Sequence, residues 1–549
     1  MNTQKFPLTE KTPLVCLWWM AMMLVVGISS AQEAKVVDER TYLIFSGKDK
    51  IGTERYTVRS DNSTTSKVEL SIMGREIKFD VTLQYEENRP IKYKLNYEPG
   101  IALIAQFQAE KVTITVPGRS QELTLKEGTI VLENNVFEHY YFLLQRYDLS
   151  KGGKQVFPIL VPSVMMALEA TVEHKGTLEQ MVNQQLLKLH EFQVVVAGMV
   201  AIGITTDETL HLLKIEIPAQ NIEAIREGYE SFRKPPNIPD INSDKFGSVD
   251  VTIPSTDDVT LSGTLTIPQD GKKKHPAVIL ISGSGPQDRE ENTPPALNLY
   301  IFRHIANALA SHGIAVLRCD DRGVGKSSGD FRRSTLKDFI SDAKAQIKFL
   351  RNRDDIDGKR ICVIGHSEGG IIAPIVASED KEIAACVILA GTSKPLDVVM
   401  IEQLEFQAAN KDLPEAAREV IQKMIEPTKQ VIADAKAGKD SSSAMPYNLE
   451  WLRQHFAHDP IATIKKVKCP VLILQGEKDM QVLPYHAEAL EKALKESGNP
   501  DHQLVMLSNL THLFTEYPYV NGKFNPDAIP ELSPKLFNAL VPWVEKMVR

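Results

Sequence analysis

The chain has 549 residues, 43% of them hydrophobic, and a formal net charge of −8. That length exceeds one ordinary domain and supplies enough apolar material for sizeable cores. The acidity is mild and no basic cluster with interleaved aromatics occurs, which excludes a nucleic-acid partner.

Lys5 and Lys11 precede an uncharged apolar run from Leu14 to Ile28, and Ser29-Ser30-Ala31 supplies small residues for cleavage. This is the layout of an export signal. Residues 1–31 are therefore expected to be removed, leaving a periplasmic or secreted chain. The run is short for a retained anchor, and no stable membrane span is expected after its removal. Cys16 lacks the small residues that precede a lipidated cysteine. Cys319, Cys362, Cys386 and Cys469 lie in or beside apolar runs. Their spacing suits neither a disulfide scaffold nor zinc, so they read as small buried hydrophobes.

Residues 32–233 show mostly period-two patterning. Val68–Ile72, Ile77–Leu83, Val112–Val116 and Leu213–Ile217 alternate apolar and polar residues, with turn signals at Met73-Gly74-Arg75 and Pro117-Gly118. Strict alternation gives each strand one dry and one wet face, which predicts a mostly antiparallel sheet curled over a core. Val136, Phe137, Tyr140, Tyr141 and Leu144 recur at helical spacing and predict one helix packed into the concave face. His139, His174, His190 and His211 share no spacing and do not suggest a metal site.

Residues 234–244 open with Lys234-Pro235-Pro236-Asn237-Ile238-Pro239, which can continue neither a helix nor a central strand and reads as a linker. Residues 245–549 change in texture. Val249–Ile253 and Leu261–Ile267 alternate and predict an antiparallel edge. Nearly continuous apolar strands follow at 277–281, 314–317, 361–364, 385–389 and 471–474, with helical stretches between them at 298–311 and 336–351. Buried strands alternating with helices predict a parallel sheet covered on both faces. The insertion at about 394–467 reads as a helical lid, with helices near 398–410, 414–425 and 427–437, a break at Ser441-Ser442-Ser443, and a further helix carrying Trp451 and Phe456.

The chemistry concentrates in this second half. Ile361-Cys362-Val363-Ile364 runs into Gly365-His366-Ser367-Glu368-Gly369, and an apolar small-residue helix follows. A strand that turns at once into a helix strains the residue at the bend and presents Ser367 at the helix N-terminus as a nucleophile. A base and an orienting acid are then required. Asp479 follows the strand 471–474, and His512 follows a short strand at 504–507. Ser, Asp, His is the chain order this arrangement needs. Ser367 is assigned as nucleophile, His512 as base and Asp479 as orienting acid. Glu477 remains a rival acid; His366, His486 and His502 are poorly placed for the base. The oxyanion donors are expected to be the Glu368 amide and the Ser284 amide of Ser282-Gly283-Ser284-Gly285-Pro286. Gly325-Lys326-Ser327 invites a phosphate-loop reading, but Asp320 stands where that motif needs glycine, so a bracing turn is expected instead.

Ser-Gly-Ser-Gly-Pro, Asp-Arg-Gly-x-Gly-x-Ser, Gly-His-Ser-Glu-Gly-Gly, Gly-Glu-Lys-Asp and Thr-His-Leu-Phe, in this order, resemble the α/β-hydrolase superfamily, and within it bacterial exported carboxylesterases with a Gly-Ser-Gly-Pro oxyanion loop. The resemblance covers about residues 245–549. It implies hydrolysis of a small-molecule ester through an acyl-enzyme, with no metal or organic cofactor. Ser282 departs from the pattern, since many members carry histidine before the oxyanion glycine. Two other readings stand beside this one: a serine peptidase of the prolyl-oligopeptidase type, and a hydrolase half fused to a ligand-binding β module. Acyl and alcohol specificity and oligomeric state are not legible in the sequence.

Overall fold

The computed structural model describes residues 34–548 except 48, 73–74, 87–88, 98–101, 183–184, 199, 234–238, 257, 293–298, 440–447, 521–522 and 526–530. The expected export signal, residues 234–238 of the proline-rich linker and the serine break at 441–443 therefore lie outside the described residues. Among the described residues no helix is long and apolar enough to cross a membrane.

Among the described residues, the first half of the chain folds as one fifteen-stranded sheet. Eight strands from Val36 to Thr124 meander in chain order. A second series from Ile130 to Arg226 does the same, and the first strand, Val36–Ser46, pairs antiparallel with the last, Ile222–Arg226. All pairings are antiparallel except Ile130–Val131 with Lys154–Val161. One core cluster contains Ile114 from near one edge, Val131 from the other, and Val136, Phe137, Leu143 and Leu144 from the helical segment. A flat sheet could not bring those edges together, so the sheet curls around the helix, and Lys126 meets Glu169 at 2.7 Å across the gap. The helix itself is shorter than its apolar spacing predicts, His139–Leu144. Val136 and Phe137 are buried in the turn that leads into it.

Among the described residues, the second half is built on an eight-stranded sheet. Its strands are β1 (Phe246–Pro254), β2 (Thr260–Pro268), β3 (His275–Ile281), β4 (Ala315–Cys319), β5 (Ile356–His366), β6 (Ile383–Leu389), β7 (Val471–Gly476) and β8 (His502–Leu507). The spatial order is β1-β2-β4-β3-β5-β6-β7-β8. β1 and β2 form the antiparallel edge that their alternation predicts, and the remaining pairs are parallel. Every residue of β3 and β7 is buried. The helices are α1 (Ile301–Ala310), α2 (Leu336–Arg351), α3 (Gly369–Glu379), α4 (Leu396–Ala409), α5 (Glu415–Lys436), α6 (Leu449–Ala457), α7 (Pro460–Ile464), α8 (Tyr485–Glu496) and α9 (Pro534–Val548). One core cluster packs α2, α3 and α8 on one face of the sheet and another packs α1 and α9 on the other.

The insertion between β6 and β7 differs from its sequence reading in one respect. The two helices expected at 414–425 and 427–437 are a single helix, α5, with Pro427 inside it. Proline removes one amide donor from the ladder and disfavours the turn before it. The amphipathic pattern outweighs that loss: Ile425, Ile432 and Ala435 are all buried on one face.

Candidate active site

The bend after β5 is set by close backbone packing. Ser367 has φ +54, a left-handed conformation that costs a residue with a Cβ about 1–3 kcal/mol. Its amide donates to the Leu389 carbonyl at the end of β6 (2.9 Å), and its carbonyl accepts from Gly370 (2.9 Å). A methyl group on Gly365 would lie 1.9 Å from the Gly369 carbonyl oxygen, and one on Gly369 would lie 2.1 Å from the Ile281 carbonyl oxygen. Both pentad glycines are therefore steric requirements of the turn. Gly283 belongs to the same contact, since a Cβ there would sit 3.2 Å from Ser367 Cβ.

Asp479 and His512 come from the turns beyond β7 and β8. His512 Nδ1 lies 2.8 Å from Asp479 Oδ2. Asp479 is 1% exposed. Its Oδ1 accepts the amides of Gln481 (2.8 Å) and Val482 (2.9 Å), and its Oδ2 accepts Gln475 Nε2 (2.9 Å). Burial alone would push this carboxyl up, but His512 and the two amides more than offset it and hold it below the ordinary carboxylate range. Glu477, two residues away, is exposed. Of the two candidate acids, Asp479 is the one at the imidazole.

His366 ties the nucleophile bend to the His512 loop. Its Nε2 lies 3.0 Å from the His512 carbonyl oxygen and its Nδ1 lies 2.7 Å from Glu291 Oε1. The two histidine rings are 4.8 Å apart. Desolvation would lower the His366 pKa, yet Glu291 and the carbonyl raise it, which favours an imidazolium with both ring nitrogens donating. Glu291 is fully buried, has φ +63 and also accepts the Gly283 amide (3.1 Å). Sequence reasoning missed Glu291. It lies in an ordinary polar run, 75 positions from His366, and only its place just after the glycine loop hinted at a role.

Of the proposed oxyanion residues, Ser284 is exposed on the loop after β3, whereas Glu368 is buried. The Gly283 amide is engaged by Glu291, so the Ser284 amide is the next donor along that loop. Glu368 Oε1 accepts Trp451 Nε1–H at 2.9 Å and lies 2.9 Å from His455 Nε2. Both partners are buried on α6, in the lid. Neither Trp451 nor His455 was singled out for this contact, because nothing local marks it.

Beneath the glycine loop, a cavity of about 40 Å³ is lined by Ser282, Asp321, Asp342, Gln346 and Glu368. Asp321 accepts the Ser282 hydroxyl (2.6 Å) and the Gln287 amide (3.0 Å). Desolvation, with added repulsion from Glu368 and Asp342, pushes its carboxyl well above the usual range. Ser282 thus anchors the loop to the β4 turn. The rest of that turn is a brace. Arg322 makes a two-point contact with Asp342 on α2 (2.7 and 2.6 Å), and Asp320 accepts the Lys326 amide (3.1 Å) and pairs with Arg289 (2.7 Å). A carboxylate fills the space where a phosphate would have to enter.

A family profile described as "Serine aminopeptidase, S33" matches residues 299–516. The second half of the chain has the fold of an α/β hydrolase and is similar to that superfamily. Among similar proteins, the chain is 31% identical over 284 residues to Esterase EstD of Thermotoga maritima, covering 50% of this chain and 62% of that protein. The Uncharacterized peptidase YtmA of Bacillus subtilis is 26% identical over 208 residues, covering 37% of this chain and 67% of that one. Among solved structures, Est1E of Butyrivibrio proteoclasticus with ferulic acid is 20% identical and covers 54% of this chain and 99% of its own, with a TM-score of 0.37. The chain thus spans less than two thirds of the length of EstD.

Proposed function

We propose that the protein is a serine hydrolase that cleaves carboxylic esters through an acyl-enzyme. The observation that carries this reading is the pairing of His512 with buried Asp479 on the sheet edge where β5 presents Ser367. The likeness to an esterase supports the ester as substrate. In this mechanism His512 Nε2 takes the Ser367 proton as Oγ attacks the ester carbonyl. Asp479 holds the imidazole with Nδ1 protonated and stabilises the imidazolium that forms. The amides of Glu368 and Ser284 receive the oxyanion. Collapse expels the alcohol with the proton from His512, and a water attacks the acyl-enzyme by the same steps in reverse. The buried His366–Glu291 pair holds the His512 carbonyl and so positions the imidazole.

Turnover of short-chain nitrophenyl esters tests the reading. Ser367→Ala is expected to lower kcat by at least about a thousandfold and to abolish labelling by a fluorophosphonate. Undiminished turnover would end it. The peptidase description of the matching family favours a second reading as a serine peptidase. Against its prolyl-oligopeptidase form, the first half is one continuous sheet and not a ring of blades. Faster cleavage of proline-containing peptides than of esters would reverse the ranking. The export signal belongs to the same proposal, and N-terminal sequencing of the mature protein, expected to begin after Ala31, tests it.

A further inference from the structure

The two halves of the chain meet at the insertion between β6 and β7. In the N-terminal sheet, the strands Gln185–Val196 and Val200–Thr206 pair antiparallel and turn through Ala197 and Gly198. Both residues are left-handed, with φ +50 and +68. The Ala197 amide donates to the Glu169 carbonyl at 2.8 Å, so the turn is fastened to its own sheet. A methyl group on Gly198 would lie 2.5 Å from Pro414 Cγ and 3.1 Å from Pro414 Cβ. Carbon atoms in ordinary contact stand about 3.5–4.0 Å apart. Glycine thus serves twice here, by its backbone angle and by admitting the proline against its Cα. Pro414 caps α5, and its carbonyl accepts the Arg418 amide at 3.0 Å.

From Pro414 the loop 410–414 leads back to the proposed catalytic residues. Gln407 Nε2, on α4, donates to the Met480 carbonyl at 2.9 Å, and Asn410 Nδ2 lies 3.1 Å from Met480 Sδ. Met480 follows Asp479 directly, inside the turn whose Gln481 and Val482 amides hold the carboxylate. On the same loop Asp412 Oδ2 accepts Tyr517 Oη–H at 3.3 Å, and the Tyr517 amide donates to the Asn509 carbonyl at 2.8 Å. Asn509 and Tyr517 thereby close the segment that carries His512. The loop therefore touches the sheet at Pro414 and the turns of acid and base at Asn410 and Asp412. A loop with few buried contacts opens at low cost, and each contact at its ends raises that cost.

We propose that the N-terminal sheet is a positioning element for the active site: its 197–198 turn, seated on Pro414, holds the 410–414 loop against the turns that carry Asp479 and His512. Making room for a methyl on Gly198 would displace Pro414 by about 1 Å. A loop moved that far draws on Met480, and through Met480 on the amides that aim the Asp479 carboxylate at His512 Nδ1. The effect on catalysis rests on the serine-hydrolase reading; the mechanical coupling between the halves does not.

Hydrogen exchange and nitrophenyl-ester turnover on the full chain test it. Gly198→Ala is expected to speed amide exchange several-fold in residues 405–415 and 479–483, and to lower kcat about tenfold with little change in KM. Gly118→Ala is the control. Gly118 is also left-handed, φ +79, in a turn of the same sheet, but a methyl there meets nothing within 4 Å. It should cost comparable stability and leave both readouts at their wild-type values. Pro414→Ala loosens the contact without straining the sheet, and should raise exchange in both segments and lower kcat about threefold. In the double variant Gly198→Ala/Pro414→Ala the Cγ in the methyl's way is gone. Its kcat should recover to within about threefold of the Pro414→Ala value, while the loss of melting temperature from the strained turn persists. Exchange at 479–483 unchanged by Gly198→Ala and by Pro414→Ala would overturn the proposal. So would an equal effect of Gly118→Ala, or absence of the recovery. Exchange needs no turnover, so a wild-type chain that cleaves no ester would end the esterase reading alone.

Discussion

Replacing Glu368 with alanine tests whether the lid is held by the residue that follows the nucleophile. Its carboxylate takes the Trp451 indole N–H at 2.9 Å and lies 2.9 Å from His455 Nε2, with all three side chains buried. A buried hydrogen bond to a charged group contributes about 1.5–3 kcal/mol, and an indole N–H left without an acceptor costs about 1–3 kcal/mol. These terms overlap, so Glu368→Ala is expected to destabilise the packing of α6 by about 3 kcal/mol. Glu368→Gln keeps an acceptor for Trp451 and should cost about 1 kcal/mol. Trp451→Phe removes the donor from the other side, and the double variant should show a coupling of about 1–2 kcal/mol. Limited proteolysis of the segment 394–467, followed with urea midpoints, reads the effect on the lid. Ester turnover reads the effect on the Glu368 amide, where a roughly tenfold fall in kcat with little change in KM is expected. Proteolysis rates and midpoints for Glu368→Ala indistinguishable from wild type would refute the coupling of lid and bend.

Two further outcomes follow from particular residues. Burial raises the Glu54 carboxyl from 4.5 to about 8. Because its folded value lies above its unfolded one, its contribution to stability is fully present below about pH 4.5 and is lost as pH rises through about 8, up to about 5 kcal/mol. Glu54→Gln, whose amide can donate to Ser66 while its oxygen accepts the Phe137 amide, should flatten that dependence; an unchanged slope between pH 5 and 9 in urea titrations would refute it. Gly365→Ala should fail to fold, since its methyl would lie 1.9 Å from a backbone oxygen that cannot move without undoing the bend. Soluble, active protein from that variant would show the turn to be far more plastic than its geometry implies.

What the sequence determined was what neighbouring residues decide among themselves. Alternation in Val112–Val116 and helical spacing in Leu336–Arg351 express the side-chain period of one element, and both elements form where that period places them. The glycines of 365–369 likewise answer a clash within five residues of chain. Tertiary structure decided the rest, because those choices depend on surfaces that meet only after folding. The continuation of α5 through Pro427 is settled by a buried face and not by local propensity. The strand at Val36 closes beside the one at Ile222 because sheet register is a long-range property. The pairing of Glu291 with His366, and of Trp451 with Glu368, joins residues 75 and 83 positions apart. No periodicity or spacing records such distances; only the packed chain brings those groups within a hydrogen bond.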